Sequence, residues 1–337
     1  MKARKEVLGE MKILVYSHRS DETIYFEKFS QQYGVEVELH EESPSLYNAH
    51  WAEGYDCISI ITTPISAELL ERFYHYGVRF ISTRTIGYDH IDVKKAKDLG
   101  VRFGNVTYSP HSVADYTIML ILMTIRKMRL IMGRDSVQDY SLAGVQGREL
   151  HNLTVGVIGT GKIGHTVAQY LSGFGCKVLA YDLYESKKTR PFAQYVPLEK
   201  LLEHSDLITL HAPATEDNYH MINQASIARM KQGTMLINTA RGSLIDTEAL
   251  IQALEEKKIG GAALDVIENE SDIYYRDLKG EILTNRELAV LRSFPNVIMT
   301  PHTAFYTDQA VSDMVEHSLL SCMAFMEGKE NPWEVRI

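Results

Sequence analysis

The stretch that most constrains the fold runs from Leu153 to Asp182, LTVGVIGTGKIGHTVAQYLSGFGCKVLAYD. A short β-branched run with Val155, Val157 and Ile158 reads as a buried strand and ends in Gly159, Gly161 and Gly164, spaced G-x-G-x-x-G. Ile163, Val167, Tyr170 and Leu171 then recur at helical spacing, and a second apolar strand, Lys177–Tyr181, closes on Asp182. Strand, glycines, helix, strand and acid in that order predict a dinucleotide-binding βαβ unit. Gly159 permits the tight turn, Gly161 lets backbone approach a pyrophosphate, and Gly164 lets helix and strand pack closely. The helix N-terminus meets the phosphate charge. Asp182 is placed to accept hydrogen bonds from ribose hydroxyls, and its carboxylate would repel a 2′-phosphate. Lys187 and Lys188 read as a solvated turn rather than a phosphate clamp, so NAD is expected over NADP. A glycine-rich βαβ turn with no nucleotide is the alternative.

The chain has 337 residues, more than one core usually organises, so two domains are expected. A net charge of −9 argues against a general nucleic-acid surface. Cys57, Cys176 and Cys322 show no C-x-x-C spacing, and the first two sit in apolar strand patterns. Buried reduced thiols and a cytoplasmic location follow. The start, MKARKEVLGEMKILVYS, has no long apolar run of the signal-peptide kind, and residues 1–10 read as a polar extension. Tyr116–Ile125 is too short to span a bilayer, so no membrane contact is expected. His204 and His211 flank a strand rather than sharing a helix face, and no G-x-S-x-G elbow occurs, which disfavours metal and serine-hydrolase chemistry.

Before the glycine turn the chain alternates expected strands (Lys12–Tyr16, Val35–Leu39, Cys57–Ile61, Arg79–Ser82) with helices (Glu22–Tyr33, Ser66–Tyr76, Ile91–Leu99). A parallel α/β sheet is the expectation. The loop Thr83–His90 follows the fourth strand, where open α/β sheets bind ligands, and Gly87 would let backbone amides face an anion. A plain connection into the next helix is the equal alternative. Beyond Tyr108-Ser109-Pro110 a helix is expected from Ser112 to about Ile131. Its apolar positions cover a wide arc, which needs a second surface. A two-fold dimer through residues 112–131 and a core helix shared between domains are the two readings. Further strands are expected at Asp206–His211, Met235–Asn238, Ala262–Val266 and Val297–Thr300, with helices at Pro197–Glu203, Asn223–Met230 and Thr247–Lys257. These complete a doubly wound domain and leave the helical stretch Asp308–Glu327 without a strand partner there.

Polar groups at the ends of the later strands are the candidates for chemistry. Arg241, in Asn238-Thr-Ala-Arg-Gly242, offers a planar fork suited to a carboxylate. Glu270 and His302 follow two further strands. Each alone has a plain alternative: a cap or surface ion pair for Arg241, a solvated acid for Glu270, a partner to a backbone carbonyl for His302.

The segments STRTIGYDHID (82–92), YSP (108–110), VGVIGTGKIG (155–164), MKQGTMLINTARGSLIDTEAL (230–250), GGAALDVIENE (260–270) and NVIMTPHTAFYT (296–307) are together highly specific. Through them the chain resembles the D-isomer-specific 2-hydroxyacid dehydrogenase family, its D-lactate dehydrogenase branch in particular, from Lys12 onward. The resemblance implies two Rossmann-like, doubly wound parallel-sheet domains. The NAD-binding domain (109–303) is inserted into a flavodoxin-like substrate domain (1–108 and 304–337). It implies Arg241, Glu270 and His302 as the catalytic set and adds cofactor contacts at Lys162, Ile163, Ala212, Pro213, Asn218, Thr239, Ala240 and Asp265. Substrate contacts are implied at Ile86, Gly87, Tyr108, Arg241 and Phe305. The family often has Glu-Gly-Glu where this chain reads Glu268-Asn269-Glu270. Asn tolerates positive φ better than other non-glycine residues, so the loop is expected to keep its course.

The activity implied is reversible hydride transfer between NADH and pyruvate to give D-lactate. His302 serves as general acid, and Glu270 orients the ring and favours the imidazolium. Arg241 binds the substrate carboxylate, and closure of the two domains excludes water. The alternatives are a dehydrogenase for larger 2-oxo acids (2-oxoisocaproate, phenylpyruvate or 2-oxoglutarate) and, from another class, an NAD(H)-sensing binding protein.

Overall fold

The structure, a computed structural model, describes residues 11–270 and 273–336; the polar extension expected at residues 1–10 lies outside them. The chain begins with β1 (Lys12–Val15), α1 (Thr23–Tyr33), β2 (Glu36–Leu39), β3 (Cys57–Ile60), α2 (Ala67–His75), β4 (Phe80–Thr83), α3 (Val93–Leu99) and β5 (Arg102–Gly104). It continues with α4 (His111–Ile125), α5 (Met128–Asp135), β6 (Thr154–Ile158), α6 (Lys162–Gly173), β7 (Lys177–Tyr181), β8 (Gln194–Tyr195), α7 (Leu198–His204) and β9 (Leu207–Leu210). Then come α8 (Gln224–Arg229), β10 (Thr234–Asn238), α9 (Thr247–Glu255), β11 (Ile259–Leu264), α10 (Arg286–Ser293), β12 (Val297–Met299) and α11 (Asp308–Met326).

These elements form two compact units. One takes the chain up to Ser109 and again from Tyr306; the other spans Pro110–Phe305. In the first, parallel strands stand in the order β2-β1-β3-β4-β5, a flavodoxin-like order. Successive strand residues point to opposite faces, so both faces must be covered. Leu14, Ile58, Ile81 and Phe103 pack with Leu69, Leu70 and Phe73 of α2 and Ala96 of α3. Ile13, Val15, Cys57 and Phe80 pack with Phe26 and Phe29 of α1 and Val315, Leu319 and Cys322 of α11. The C-terminal helix therefore belongs to this unit's core, and Ser59 Oγ meets Ser318 Oγ there at 2.7 Å. Local signals set the helix ends: Ser66 caps α2 by accepting the Leu69 N–H at 3.3 Å, and α1 stops at Gly34, whose φ is +69°.

In the second unit the parallel order is β12-β11-β10-β9-β6-β7-β8. The chain runs outward from β6 in one direction and returns to its other side at β9, which is the switch point of a Rossmann sheet. Val155, Val157, Leu207, Ile237 and Ala263 pack with α4 and α6. Ile158, Ile208, Leu236 and Leu264 pack with α7, α8, α9 and α10 on the opposite face.

The structure departs from expectation in the extent of one helix and in several short elements. The helix expected to run from Ser112 to Ile131 ends at Ile125. The Lys127 N–H turns back to Thr124 O, Lys127 sits at φ +54°, and α5 starts afresh. The wide apolar arc of α4 is largely covered by its own unit, since Val113, Ala114, Ile118, Leu120, Ile121 and Ile125 are buried against β10, β11, β12 and α6. Strands β5 and β8, of three and two residues, carry too little period to be foreseen, and helix α10 was also not expected. The first unit's strands and helices otherwise match expectation within two residues. All three cysteines are buried thiols. Among the described residues, no helix is long and apolar enough to cross a membrane.

Candidate active site

The glycine turn lies at the switch point. Gly159 has φ +88°, and a Cβ there would stand 2.6 Å from Ala212 N, so the turn after β6 touches the loop after β9 backbone to backbone. A Cβ on Gly164 would stand 1.9 Å from Gly159 O, hence the close seat of α6 on the turn. Gly161, the residue before α6, has nothing within 4 Å of its added Cβ position. The open side of the turn is thus where the helix presents its unpaired N–H groups. Lys162 is exposed, Ile163 half-buried. Asp182 braces the turn: its Oδ2 accepts from Thr160 N at 2.5 Å and Thr160 Oγ1 at 3.0 Å, and its Oδ1 from Tyr184 N at 2.9 Å. Lys187 and Lys188 are exposed. Beneath the turn His211 is half-buried, and the desolvation of its ring pushes the imidazole down to about 3, a neutral ring at neutral pH.

In the loop after β9, Asn218 Nδ2 donates to Pro213 O at 2.7 Å while its Oδ1 accepts the Thr215 N–H at 2.8 Å. Both ends of that amide hold the shape of the Ala212–Asn218 loop. After β10, Asn238 closes the next turn by accepting the Ala240 N–H at 3.0 Å and donating to Arg241 O at 2.8 Å. Thr239 is tied to Thr117 of α4 through their hydroxyls at 2.9 Å, and the Arg241 guanidinium donates to Ala240 O at 2.7 Å.

The loops after β11 and β12 meet. Asp265 is fully buried, and its carboxylate accepts from Thr300 Oγ1 (2.6 Å), Thr303 N (2.9 Å) and Ala304 N (2.9 Å), while its carbonyl accepts the His302 N–H at 2.8 Å. One acid therefore shapes the whole segment that presents His302. Asn269 takes φ +57° and the loop keeps its course, bringing Glu270 Oε1 to 2.5 Å from His302 Nδ1. Glu270 Oε2 accepts the Ile267 N–H at 3.0 Å. The Phe305 ring stands edge-on to the His302 ring at 6.3 Å. Burial first, then the charges of Glu270 and Asp265, keep the Tyr274 phenol protonated.

Structure thus unites Glu270 with His302 directly. Arg241 is joined to them through backbone: a Cβ on Gly242 would fall 2.1 Å from Ile267 O, so the Arg241 turn lies against the Glu270 loop. In the other unit, Ile86 O accepts from Asn105 Nδ2 at 2.6 Å and Gly87 O from Thr85 Oγ1 at 2.6 Å, which fixes the 85–87 backbone. The neighbouring Arg84 is fully buried, paired with Glu22 at 2.9 Å and bonded to Ser59 Oγ, Tyr16 O and Ser17 O. Tyr108 precedes Ser109, whose N–H donates to Asp313 of α11 at 3.0 Å.

A model of the D-isomer specific 2-hydroxyacid dehydrogenase NAD-binding domain matches residues 118–304. This chain belongs to the D-isomer specific 2-hydroxyacid dehydrogenase family. An aromatic 2-oxoacid reductase of Clostridium sporogenes is 46% identical over 318 residues, 94% of this chain and 96% of that protein. A D-specific alpha-keto acid dehydrogenase of Enterococcus faecium is 44% identical over 96% of this chain and 100% of that one. Among solved structures, a D-lactate dehydrogenase from Treponema pallidum superposes with a TM-score of 0.87 at 34% identity, covering 97% of this chain and all of that one. The chain is therefore a D-2-hydroxyacid dehydrogenase with NAD as its cofactor. The glycine turn fits that cofactor, because the two glycines whose Cβ would clash build the turn and Gly161 leaves it open.

The sequence assigns no role to His220 or Tyr275, and names Gly242 and Glu268 only as neighbours of Arg241 and Glu270. Tyr275 donates its hydroxyl to His302 O at 2.8 Å. No spacing rule links these residues to the site; only the position of Gly242 just after Arg241 was a signal.

Proposed function

We propose that this dehydrogenase reduces 2-oxo acids with side chains larger than the methyl of pyruvate, aromatic ones foremost, to D-2-hydroxy acids at the expense of NADH. The single observation carrying the chemistry is the 2.5 Å contact between Glu270 and His302. With Nδ1 held by a carboxylate, Nε2 is the atom that delivers a proton to the carbonyl oxygen as it becomes an alkoxide and recovers it in the oxidative direction. Arg241 binds the substrate carboxylate through its planar fork, and the Ile86 and Gly87 amides add to that hold. Tyr108 and Phe305 border the side chain of the substrate. Bound NADH supplies the hydride to the carbonyl carbon. Gly159, Gly161, Lys162, Ile163 and Gly164 would cradle the pyrophosphate and Asp182 the ribose, with Ala212, Pro213, Asn218, Thr239, Ala240 and Asp265 along the remainder. Residues 109–303 act as the NAD-binding domain, and residues 1–108 with 304–337 as the substrate domain.

The substrate preference is supported by the names carried at 46% and 44% identity, an aromatic 2-oxoacid reductase and an alpha-keto acid dehydrogenase. Pyruvate, the first expectation from sequence, is the second reading, favoured by the likeness over nearly the whole chain to a D-lactate dehydrogenase. Measuring kcat/KM with NADH for pyruvate, 2-oxoisocaproate, phenylpyruvate and 2-oxoglutarate, with chiral analysis of the product, decides between them. Phenylpyruvate is expected to lead; a clear preference for pyruvate overturns the bulky-substrate reading. NADH binding without turnover of any of the four would favour the sensing protein instead. Two copies pair through the α4 face. Met119 and Phe174 stand exposed there, beside a cavity of about 450 Å³ lined by Ile118, Gln169 and Tyr170. Sedimentation equilibrium checks this, and a monomer at micromolar concentration refutes it.

A further inference from the structure

The loop after β11 carries two imidazole–carboxylate pairs. Glu270 meets His302; two residues earlier Glu268 Oε1 meets His220 Nε2 at 2.7 Å. Glu268 is held at both oxygens, since its Oε2 accepts from Thr247 N at 3.1 Å and Thr247 Oγ1 at 2.7 Å at the start of α9. His220 is equally constrained. It sits at φ +51°, its N–H donates to Ser243 O at 2.9 Å, and its carbonyl accepts from Asn223 Nδ2 at 2.9 Å. Its Nδ1 lies 3.9 Å from Asp246 Oδ2, and the Tyr219 ring stacks on it at 3.8 Å.

The backbone bond to Ser243 reaches the turn that carries Arg241, and the side-chain bond to Glu268 reaches the loop that carries Glu270. One residue thus spans the two loops that Gly242 presses together at Ile267. A pair serving solvation alone would need neither a left-handed backbone nor ties to two loops; left-handed conformation in a non-glycine residue is costly and persists where surrounding contacts impose it.

We propose that His220 is a positioning residue for the Glu270–His302 pair, holding the Arg241 turn and the 267–270 loop in register through Ser243 and Glu268. The inference rests on the reductase reading above. Without the Glu268 bond the 267–270 loop loses its side-chain tie to the Arg241 turn, and the Glu270 carboxylate loses its fixed approach to Nδ1. A misplacement of this kind lowers turnover more than it lowers binding.

The experiment compares full-length His220→Ala and His220→Gln with the wild type. It reads kcat, KM, NADH affinity by fluorescence, the thermal midpoint, and the low-field proton resonance of the His302 Nδ1–H, identified by its loss in His302→Gln. In His220→Ala, kcat falls about tenfold, the loss of one hydrogen bond to a charged group, while NADH affinity stays within about twofold. The low-field resonance moves upfield or vanishes. His220→Gln, whose amide donates to Glu268, restores most of both. Unchanged kcat and resonance in His220→Ala overturn the proposal in favour of a surface ion pair. Parallel loss of kcat, NADH affinity and thermal midpoint without rescue by Gln overturns it in favour of simple fold support. Wild-type protein inactive on every 2-oxo acid defeats the reductase reading, and the resonance comparison still decides the role of His220.

Discussion

His302 Nδ1 and Glu270 Oε1 stand 2.5 Å apart, although 31 residues separate them in the chain, while Glu270 Oε2 is tied to Ile267 N at 3.0 Å. The acid that orients the imidazole is thus fixed by its own loop.

Replacing His302 with Ala is expected to lower kcat by roughly 10²–10⁴-fold, the usual contribution of a positioned acid, with NADH affinity nearly intact. Stopped-flow reduction and fluorescence titration measure the two separately. Equal loss in both would make His302 a structural residue.

Two glycines of one turn separate folding from binding. Gly164→Ala places a Cβ 1.9 Å from Gly159 O, so the turn must move, and a loss of about 1–3 kcal/mol in urea unfolding is expected. Gly161→Ala meets nothing within 4 Å and has extended backbone, so stability holds or rises by up to about 1 kcal/mol. Its NADH affinity drops because the methyl group fills the open side of the turn. Tight NADH binding by Gly161→Ala would show that the pyrophosphate lies elsewhere.

Asp182→Ala should erode the preference for NAD over NADP by roughly 10- to 100-fold, the worth of a hydrogen bond to a charged group. Loss of repulsion toward a 2′-phosphate acts in the same direction. The ratio of kcat/KM values for NADH and NADPH reads it directly, and an unaltered ratio refutes the assignment.

Acid should weaken the fold through His211. Burial lowers its imidazole from 6.5 to about 3. As pH falls below 6.5 the unfolded chain takes up a proton here and the folded chain does not, so stability is full above that value and declines toward 3. The slope approaches about 1.4 kcal/mol per pH unit. Urea midpoints across that range should fall less steeply in His211→Gln; identical slopes would place the acid sensitivity elsewhere.

Much of the site was legible because its signals are local. The glycine turn, Asp182 and the tolerance of Asn269 for positive φ all depend on neighbours within a few residues, and Asn269 does adopt φ +57°. His220 and Glu268 were not legible, since they lie 48 residues apart and their meeting depends on how two loops cross at Gly242. The long helix expected from 112 to 131 failed for a related reason: apolar residues continue past Ile125, and only the tightened last turn at Lys127 ends α4.

Residue order alone, then, determined the parallel α/β architecture, the nucleotide turn and the choice of family, because period, turn chemistry and motif spacing are properties of short segments. Tertiary structure alone decided which distant loops touch. Asp265 gathers the backbone of residues 302–304, and the absent side chain of Gly242 lets two loops meet, so that an acid and a histidine from the loops after different strands share one hydrogen bond. Such contacts are fixed by the packing of a whole sheet, and no short window of sequence contains them.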